Sequence, residues 1–174
     1  MSEETTSTVE ISNRRSQPYV AIPVRASLSE WGKATVLVTE VLAWIAERDL
    51  GLAGPPFFRY WTLGDHVTPF RLAVGAPVQR PVPCEGRIVS GEIPAGRYAT
   101  AIHRGHPDRL ISTIRELDEW LERERLRPRL DSVEGETTWI GRFEFYRTDP
   151  KEEPDLENWE IEVAYLLDET APKG

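Results

Sequence analysis

The apolar positions of this chain follow two periods, and stretches of each period occur in a fixed order. Stretches in which apolar and polar residues alternate, or in which short apolar runs end at turn residues, predict β-strands. Stretches with apolar residues at every third or fourth position predict two amphipathic helices. The predicted strands are residues 9–25 (one strand interrupted near Pro18), 57–62, 70–78, 87–92, 96–104, 139–147 and 159–167.

Each predicted helix has its own start and stop signals. Ser27 and Glu30 have the spacing of a capping box, and the apolar residues that follow predict a helix that ends at Gly51. The second helix has Pro107 in its first turn and ends near Pro128. A proline-rich stretch between the two helical regions predicts a stiff linker near the middle of the chain.

The order strand, helix, strand, strand occurs twice, and short strings correspond between the two halves. Residues 43–50 match residues 119–126, and residues 57–60 match residues 143–146. Matches in the same order, with the slippage confined to predicted loops, indicate an internal duplication. We therefore predict an α+β fold, in which duplicated βαββ units form one antiparallel sheet with two helices packed on it. A central cleft is expected at the seam between the units, where pockets often form.

This pattern also predicts the organisation of the chain. We expect a disordered tail at residues 1–8, one domain at 9–167 with repeats at 9–79 and 86–167, and a C-terminal tail at 168–174. The first segment is polar and acidic, which is not typical of a targeting peptide. No apolar run approaches the roughly 20 residues that span a bilayer. We therefore expect a cytoplasmic protein without membrane association.

Charge narrows the range of partners. The net charge is −8, from 21 basic and 29 acidic residues, and ten of the acidic residues follow position 141. Such a field argues against direct nucleic-acid binding. A single cysteine excludes an internal disulfide. His103 and His106 have a metal-like spacing but no third ligand in view, so we expect no metal and no cofactor.

Glu144 lies between two phenylalanines in a predicted buried strand. Burying an ionised carboxylate without a partner costs several kcal/mol or forces it to take up a proton. The residues themselves leave open a salt bridge with Arg142 or Arg59, a position in water, or a cationic or polar ligand. Strand alternation places Glu144 on one face of the sheet, and we expect Phe143 and Phe145, on the other face, to pack under the helices.

Three stretches resemble the GyrI-like, or effector-binding, domain family: residues 93–105, residues 144–150 and residues 159–163. This family comprises the ligand-sensing domains of multidrug-responsive transcription activators and their stand-alone relatives. The resemblance covers nearly the whole chain, from residue 9 to residue 167. It implies two βαββ units whose sheet and helices frame a central cleft.

The resemblance further implies that Glu144 recognises lipophilic cations among aromatic rings. Coulomb attraction would select the sign of the ligand charge, and cation–π contacts add about 0.5–2 kcal/mol per ring. We predict a binding protein for drug sensing or sequestration, with a lipophilic or cationic small molecule as its partner. The predicted ligand-binding residues are Glu144, Tyr146, Trp159, Tyr60, Tyr19 and Trp31, and further rings are available at Trp61, Trp139, Tyr98 and Tyr165.

Two other functions stay open from the sequence. Some family members resemble hydrolases of strained cyclopropane compounds, and Glu144, with a pKa raised by burial, would be the catalytic residue of such an enzyme. An inhibitor or protein-interaction role would use the acidic loop at residues 152–157 to bind a protein partner. Only eight residues precede Val9, so we expect a stand-alone binder without a DNA-binding segment of its own.

Overall fold

A computed structural model describes residues 9–168. The tails predicted at residues 1–8 and 168–174 lie outside the described residues, apart from Asp168. The strands are β1 Val9–Arg14, β2 Gln17–Ala26, β3 Phe57–Thr62, β4 Phe70–Pro77, β5 Val89–Ile93, β6 Gly96–Arg104, β7 Leu130–Val133, β8 Glu136–Trp139, β9 Arg142–Tyr146 and β10 Glu160–Leu166. The helices are α1 Gly32–Glu47 and α2 Leu110–Glu124.

Eight of these strands form one antiparallel sheet in the order β1-β6-β10-β9-β3-β4-β2-β5, and β7 and β8 form a separate hairpin. Strands β3, β4 and β2 belong to the first half of the chain, and β9, β10 and β6 follow in mirrored order from the second half. The two halves meet where β3 pairs with β9, a junction that we call the seam. The predicted α+β fold, with two helices on one antiparallel sheet, is confirmed.

The sheet is strongly curled, because each half gives its leading strand to the other half. Strand β1 runs almost directly into β2 yet pairs with β6, and β5 leads into β6 yet pairs with β2. Three peptide links separate Arg14 from Gln17 and span at most roughly 11 Å. The edge of the sheet at β1 must therefore curve back towards β2. The predicted interrupted strand at 9–25 thus lies in two distant places of the strand order.

The curl creates an inner face with an aromatic core of its own. Phe143 and Phe145 stack at 5.5 Å between ring centroids, and Phe57 meets both rings edge-on at 5.6 and 5.7 Å. The prediction that Phe143 and Phe145 pack under the helices is wrong. Both faces of this sheet are buried, one by the curl and the other by the helices. Alternation assigns the side chains to two faces, but it does not identify the face on which the helices pack.

The helices cover the outer face of the sheet, one over each half. Val41 and Ile45 of α1 belong to the core cluster of the first half, whereas Leu117 and Leu121 of α2 belong to that of the second. Before α1, the Glu30 carboxylate accepts hydrogen bonds from the backbone N–H of Ser27 at 3.4 Å and from its hydroxyl at 3.1 Å. Neither α1 nor α2 is long and apolar enough to cross a membrane.

The strand predicted at residues 139–147 is in fact two strands. Strand β8 ends at Trp139 and β9 begins at Arg142, so that β8 is free to pair with β7. Glu134 and Gly135 both have positive φ, at 52° and 80°, as a two-residue hairpin turn requires. At the break, a side chain on Gly141 would meet the Leu166 side chain at 2.6 Å. This hairpin places Trp139 beside the seam.

Candidate functional site

The residues of the seam that face the helices contain the carboxylate singled out from the sequence. Glu144 lies opposite Phe58 in the pairing of β9 with β3. Tyr60 and Tyr146 lie two residues further along their own strands and therefore on the same face. Tyr146 packs against the core clusters of both halves. The structure thus brings together Glu144, Tyr60 and Tyr146, which are three of the six residues predicted to bind the ligand.

Glu144 is buried, with 7% of its surface exposed. Its Oε1 accepts hydrogen bonds from the hydroxyls of Tyr60, at 2.9 Å, and of Tyr146, at 3.2 Å. No ion pair among residues 9–168 includes Glu144, so the salt bridges that the sequence left open are not formed. The carboxylate is held by two phenols and has no direct cationic partner among the described residues.

Burial sets the titration of this group. Burial raises the pKa of Glu144 above its ordinary value, while the Tyr60 hydrogen bond, the Arg142 charge and the Tyr146 hydrogen bond oppose that increase. Burial and the charge of Glu144 also raise the pKa of the Tyr60 hydroxyl well above its ordinary value, and they do the same for Tyr146. Both phenols therefore stay protonated and remain hydrogen-bond donors.

Trp31 covers one side of this group. It ends the short 3-10 turn before α1, and its indole is stacked on the Tyr60 ring at 6.3 Å with an interplanar angle of 7°. Phe58 and Phe70 meet the same indole edge-on at 5.8 and 5.4 Å. Trp31 thus belongs to the site through Tyr60, and it is only half-buried.

An arginine lies on the other side of Glu144. The Arg142 guanidinium lies 4.5 Å from the ring centroid of Trp139 and 4.6 Å from that of Tyr165. The two rings are 5.3 Å apart and inclined by 56°, so they form a corner that the guanidinium faces. We call Trp139 and Tyr165 the aromatic corner. Arg142 is 8% exposed, and no ion pair of the described residues includes it.

A surface pocket of about 480 Å³ adjoins this end of the seam. Its lining includes Thr62 at the end of β3, Arg71 on β4, and Thr137 and Trp139 on β8. Trp139 therefore contributes both to the wall of an open pocket and to the corner that holds a buried cation. This pocket gives solvent a position next to the site.

Tyr19 lies on the inner face of the sheet, away from Glu144. Its hydroxyl accepts a hydrogen bond from Arg59 at 2.8 Å, and its ring meets Phe57 edge-on at 5.1 Å. Arg59 also donates to the carbonyl oxygens of Glu92 and Ile140. The structure does not bring Tyr19 to the seam, because the inner face of β2 carries it into the core of the curl.

Trp159 and His103 have structural contacts elsewhere. The Trp159 indole N–H donates to the carbonyl oxygen of Glu153 at 2.9 Å, which fixes the acidic loop, and Trp159 has no ring contact among the described residues. His103 is buried, with Nδ1 2.7 Å from the Thr113 hydroxyl and Nε2 2.9 Å from the His106 carbonyl oxygen. Both ring nitrogens of His103 are thereby engaged.

The sequence prediction of site residues did not include Arg142, Trp139 or Tyr165. Alternation along β9 gave a usable signal, since Arg142 precedes Glu144 by two residues and shares its face. Trp139 could not be placed, because the hairpin that carries it was predicted as part of a longer strand. Tyr165 was counted among the available rings, and its pairing opposite Arg142 became visible only with the register.

Known proteins share the sequence pattern and the fold of this chain. The model of the GyrI-like small molecule binding domain matches residues 7–165. The solved C-terminal domain of EcmrR has a TM-score of 0.76 at 16% identity, covering 94% of this chain and 99% of that domain. The EcmrR chain in a complex with DNA has a TM-score of 0.79 at 15% identity, with 96% of this chain but only 59% of that chain covered.

Two further solved structures share the fold. SAV2435 bound to tetraphenylphosphonium has a TM-score of 0.59 at 10% identity, covering 93% of this chain and 94% of that one. A hydrolase from Listeria innocua has a TM-score of 0.56 at 12% identity, covering 92% and 91%. No curated protein matches the sequence. The match over residues 7–165, together with these folds, shows that the chain belongs to the GyrI-like small molecule binding domain family.

Proposed function

We propose that this protein binds lipophilic cations at the seam, with Glu144 as the counter-charge, and that it serves in drug sensing or sequestration. One observation carries the proposal: a carboxylate that is 7% exposed has no ion pair among the described residues, and two tyrosine hydroxyls fix one of its oxygens. A buried carboxylate in this state lowers its free energy when a cation arrives.

The surroundings of Glu144 suit a cation that carries apolar groups. Tyr60, Tyr146, Phe58 and Trp31 supply ring faces and edges around the carboxylate. Rings attract a cation by about 0.5–2 kcal/mol each, depending on desolvation. They also bury the apolar part of the ligand, which a small hydrated ion would not use. SAV2435, which shares this fold, was solved with tetraphenylphosphonium, a cation of this kind.

Access requires one of the covering rings to move. Trp31 is half-buried and stacks on Tyr60 from the start of α1, and Trp139 adjoins the open pocket. Either indole can be displaced without breaking the pairing of β3 with β9. The fixed floor of the site is therefore the strand pair, and the movable cover is formed by tryptophans.

Tetraphenylphosphonium is a direct probe. We expect it to quench tryptophan fluorescence, and Glu144→Gln to weaken its binding by about tenfold or more. Binding of neutral triphenylphosphine oxide should change little, because Gln keeps the shape and accepts the same tyrosine hydrogen bonds. Glu152→Gln, in the exposed acidic loop, is the matched control for net charge. Equal losses for the cation and the neutral compound in Glu144→Gln would contradict charge recognition.

A second candidate function is hydrolysis of a strained electrophile. Burial raises the pKa of Glu144, which favours a carboxylic acid able to protonate the leaving carbon as the ring C–C bond breaks. Water would add to the electrophilic carbon, and its proton would return to Glu144. Both tyrosine hydrogen bonds end on Oε1, so that Oε2 is the oxygen that would face a substrate. A cyclopropane-containing electrophile should then be turned over by the wild type, while Glu144→Gln binds it without releasing product. Saturable binding without product in the wild type would leave the protein a binder.

A further inference from the structure

Arg142 is a buried cation beside the carboxylate that the proposed function assigns to a cationic ligand. Its guanidinium faces the aromatic corner of Trp139 and Tyr165 at 4.5 and 4.6 Å. Arg142 and Glu144 are two residues apart on one face of β9, yet no ion pair joins them among the described residues. The site thus already holds a positive charge in contact with rings.

The guanidinium is held here by ring faces alone, and its donors keep access to water, since none of its nitrogens is among the buried polar atoms without a partner in residues 9–168. It has five N–H donors, and no side-chain hydrogen bond of Arg142 occurs within residues 9–168. Ring faces attract the charge but accept hydrogen bonds only weakly. Glu144 and Asp118 act on Arg142 through their charges, at distances longer than an ion pair. An arginine held in this way gives up two ring contacts but no hydrogen bond when it moves into water.

A different class of cation fits the corner better. A quaternary ammonium or phosphonium ion carries a full charge and has no N–H donor to satisfy. Two rings inclined by 56° contact such an ion without leaving a donor unpaired. Trp139 also lines the open pocket beside the site, so the corner lies next to a route from solvent.

Building on the proposed function, we infer that Arg142 is an internal competitor of the ligand: an onium ion without hydrogen-bond donors takes the aromatic corner of Trp139 and Tyr165, and the Arg142 side chain leaves it. The exchange replaces one cation beside Glu144 by another, so the buried carboxylate keeps a neighbouring positive charge in both states. Arg142 thereby sets the affinity threshold and disfavours weakly binding cations.

Substitution of Arg142 tests this exchange. Arg142→Met removes the charge and the donors while keeping an unbranched side chain, and we expect it to bind tetraphenylphosphonium about tenfold more tightly than the wild type. Arg48→Met is the matched control, because Arg48 also lies over an indole, 4.0 Å from the Trp44 ring centroid, but outside the seam. Its affinity should equal that of the wild type. Adding Trp139→Leu to Arg142→Met should remove the gain.

The outcomes separate this inference from the proposed function. If Arg142→Met binds no more tightly while Glu144→Gln still weakens binding, the competitor role is overturned and the cation site stands. If neither the wild type nor Arg142→Met binds tetraphenylphosphonium, both are overturned.

A measurement on the wild type covers the case in which Arg142→Met does not fold. In side-chain NMR of protein labelled at arginine, the Arg142 guanidinium should show ring-current shifts from the corner. These shifts should disappear at saturating tetraphenylphosphonium if the guanidinium leaves. Binding that keeps the ring-current shifts would overturn the inference.

Discussion

Phe58 lies directly opposite Glu144 across the seam, and the same two residues occupy matching positions in the two halves of the sequence. Residues that match in a duplicated chain and also pair with each other lie beside the axis that relates the halves. Tyr60 and Tyr146 also match in the sequence, although they do not pair with each other, and both donate to Oε1 of Glu144. The duplication thus supplies two equivalent donors, and the divergence of one position supplies the acceptor between them.

Removing either phenol should raise the pKa of Glu144 further, because each hydrogen bond stabilises the ionised carboxylate. Tyr60→Phe should have the larger effect, since the Tyr60 bond of 2.9 Å is shorter than the Tyr146 bond of 3.2 Å. Each variant should also lose about 1 kcal/mol of stability. The side-chain carboxyl carbon of Glu144, followed by NMR titration, measures the pKa directly. An unchanged titration in both variants would show that the phenols do not control the charge.

Glu144→Gln should stabilise the protein above acidic pH. The pKa of Glu144 is raised in the folded state, so between its ordinary value and the folded value the native protein binds more protons than the unfolded chain. The free energy of unfolding of the wild type therefore falls as the pH rises through that window. Glu144→Gln has no carboxylate at this position, so its free energy of unfolding does not show this decrease. Its stability advantage should appear within the window and then remain constant, at about 1.4 kcal/mol per unit of pKa difference.

Glu160→Gln gives a control with the opposite sign. Hydrogen bonds from Arg147 and Arg104 lower the pKa of Glu160, so this carboxylate stabilises the fold above its ordinary pKa and loses that effect as the pH falls through the folded value. Its substitution should therefore lower stability at neutral pH and have little effect in acid. Urea unfolding of both variants at a series of pH values measures the two trends. Parallel trends would contradict the pKa directions.

The order of elements could be predicted from the sequence because the periods are local. The capping pair of Ser27 and Glu30, the matching strands of the two halves and the buried strand that carries Glu144 all follow from spacing along the chain. The exchange of β1 and β5 between the halves could not be predicted. The short links from β1 to β2 and from β5 to β6 fix where each strand ends, but they do not determine the strand with which it pairs. For the same reason Tyr19 was predicted as a ligand-binding residue together with Glu144, although the curl places it on the inner face.

Tyr19→Phe should weaken the fold and leave ligand binding unchanged. Its hydroxyl accepts a hydrogen bond from the buried Arg59 at 2.8 Å, and the loss of an acceptor for a buried charged donor costs about 1.5–3 kcal/mol. No effect on tetraphenylphosphonium affinity is expected, because Tyr19 lies on the opposite face of the sheet from Glu144. Thermal unfolding and tetraphenylphosphonium binding, measured on the same preparation, check both statements. A selective loss of affinity would place Tyr19 within reach of the ligand.

Trp31→Ala should open the seam from the side of α1. The indole stacks on Tyr60 and meets Phe58 and Phe70 edge-on, so its removal should cost about 2 kcal/mol of stability for a half-buried ring. Tetraphenylphosphonium should associate faster, since the cover over Tyr60 is gone, and should also dissociate faster with one ring fewer in contact. Stopped-flow fluorescence resolves the two rates.

Trp44→Ala is the matched control for this prediction. Trp44 is a half-buried tryptophan on the same helix, and its ring lies under the Arg48 guanidinium at the far end of α1 from Trp31. Its removal should lower stability by a similar amount through lost packing and leave both rates as in the wild type. If Trp31→Ala and Trp44→Ala have the same association rate, Trp31 does not cover the entrance, and the pocket beside Trp139 becomes the route by which the ligand reaches Glu144.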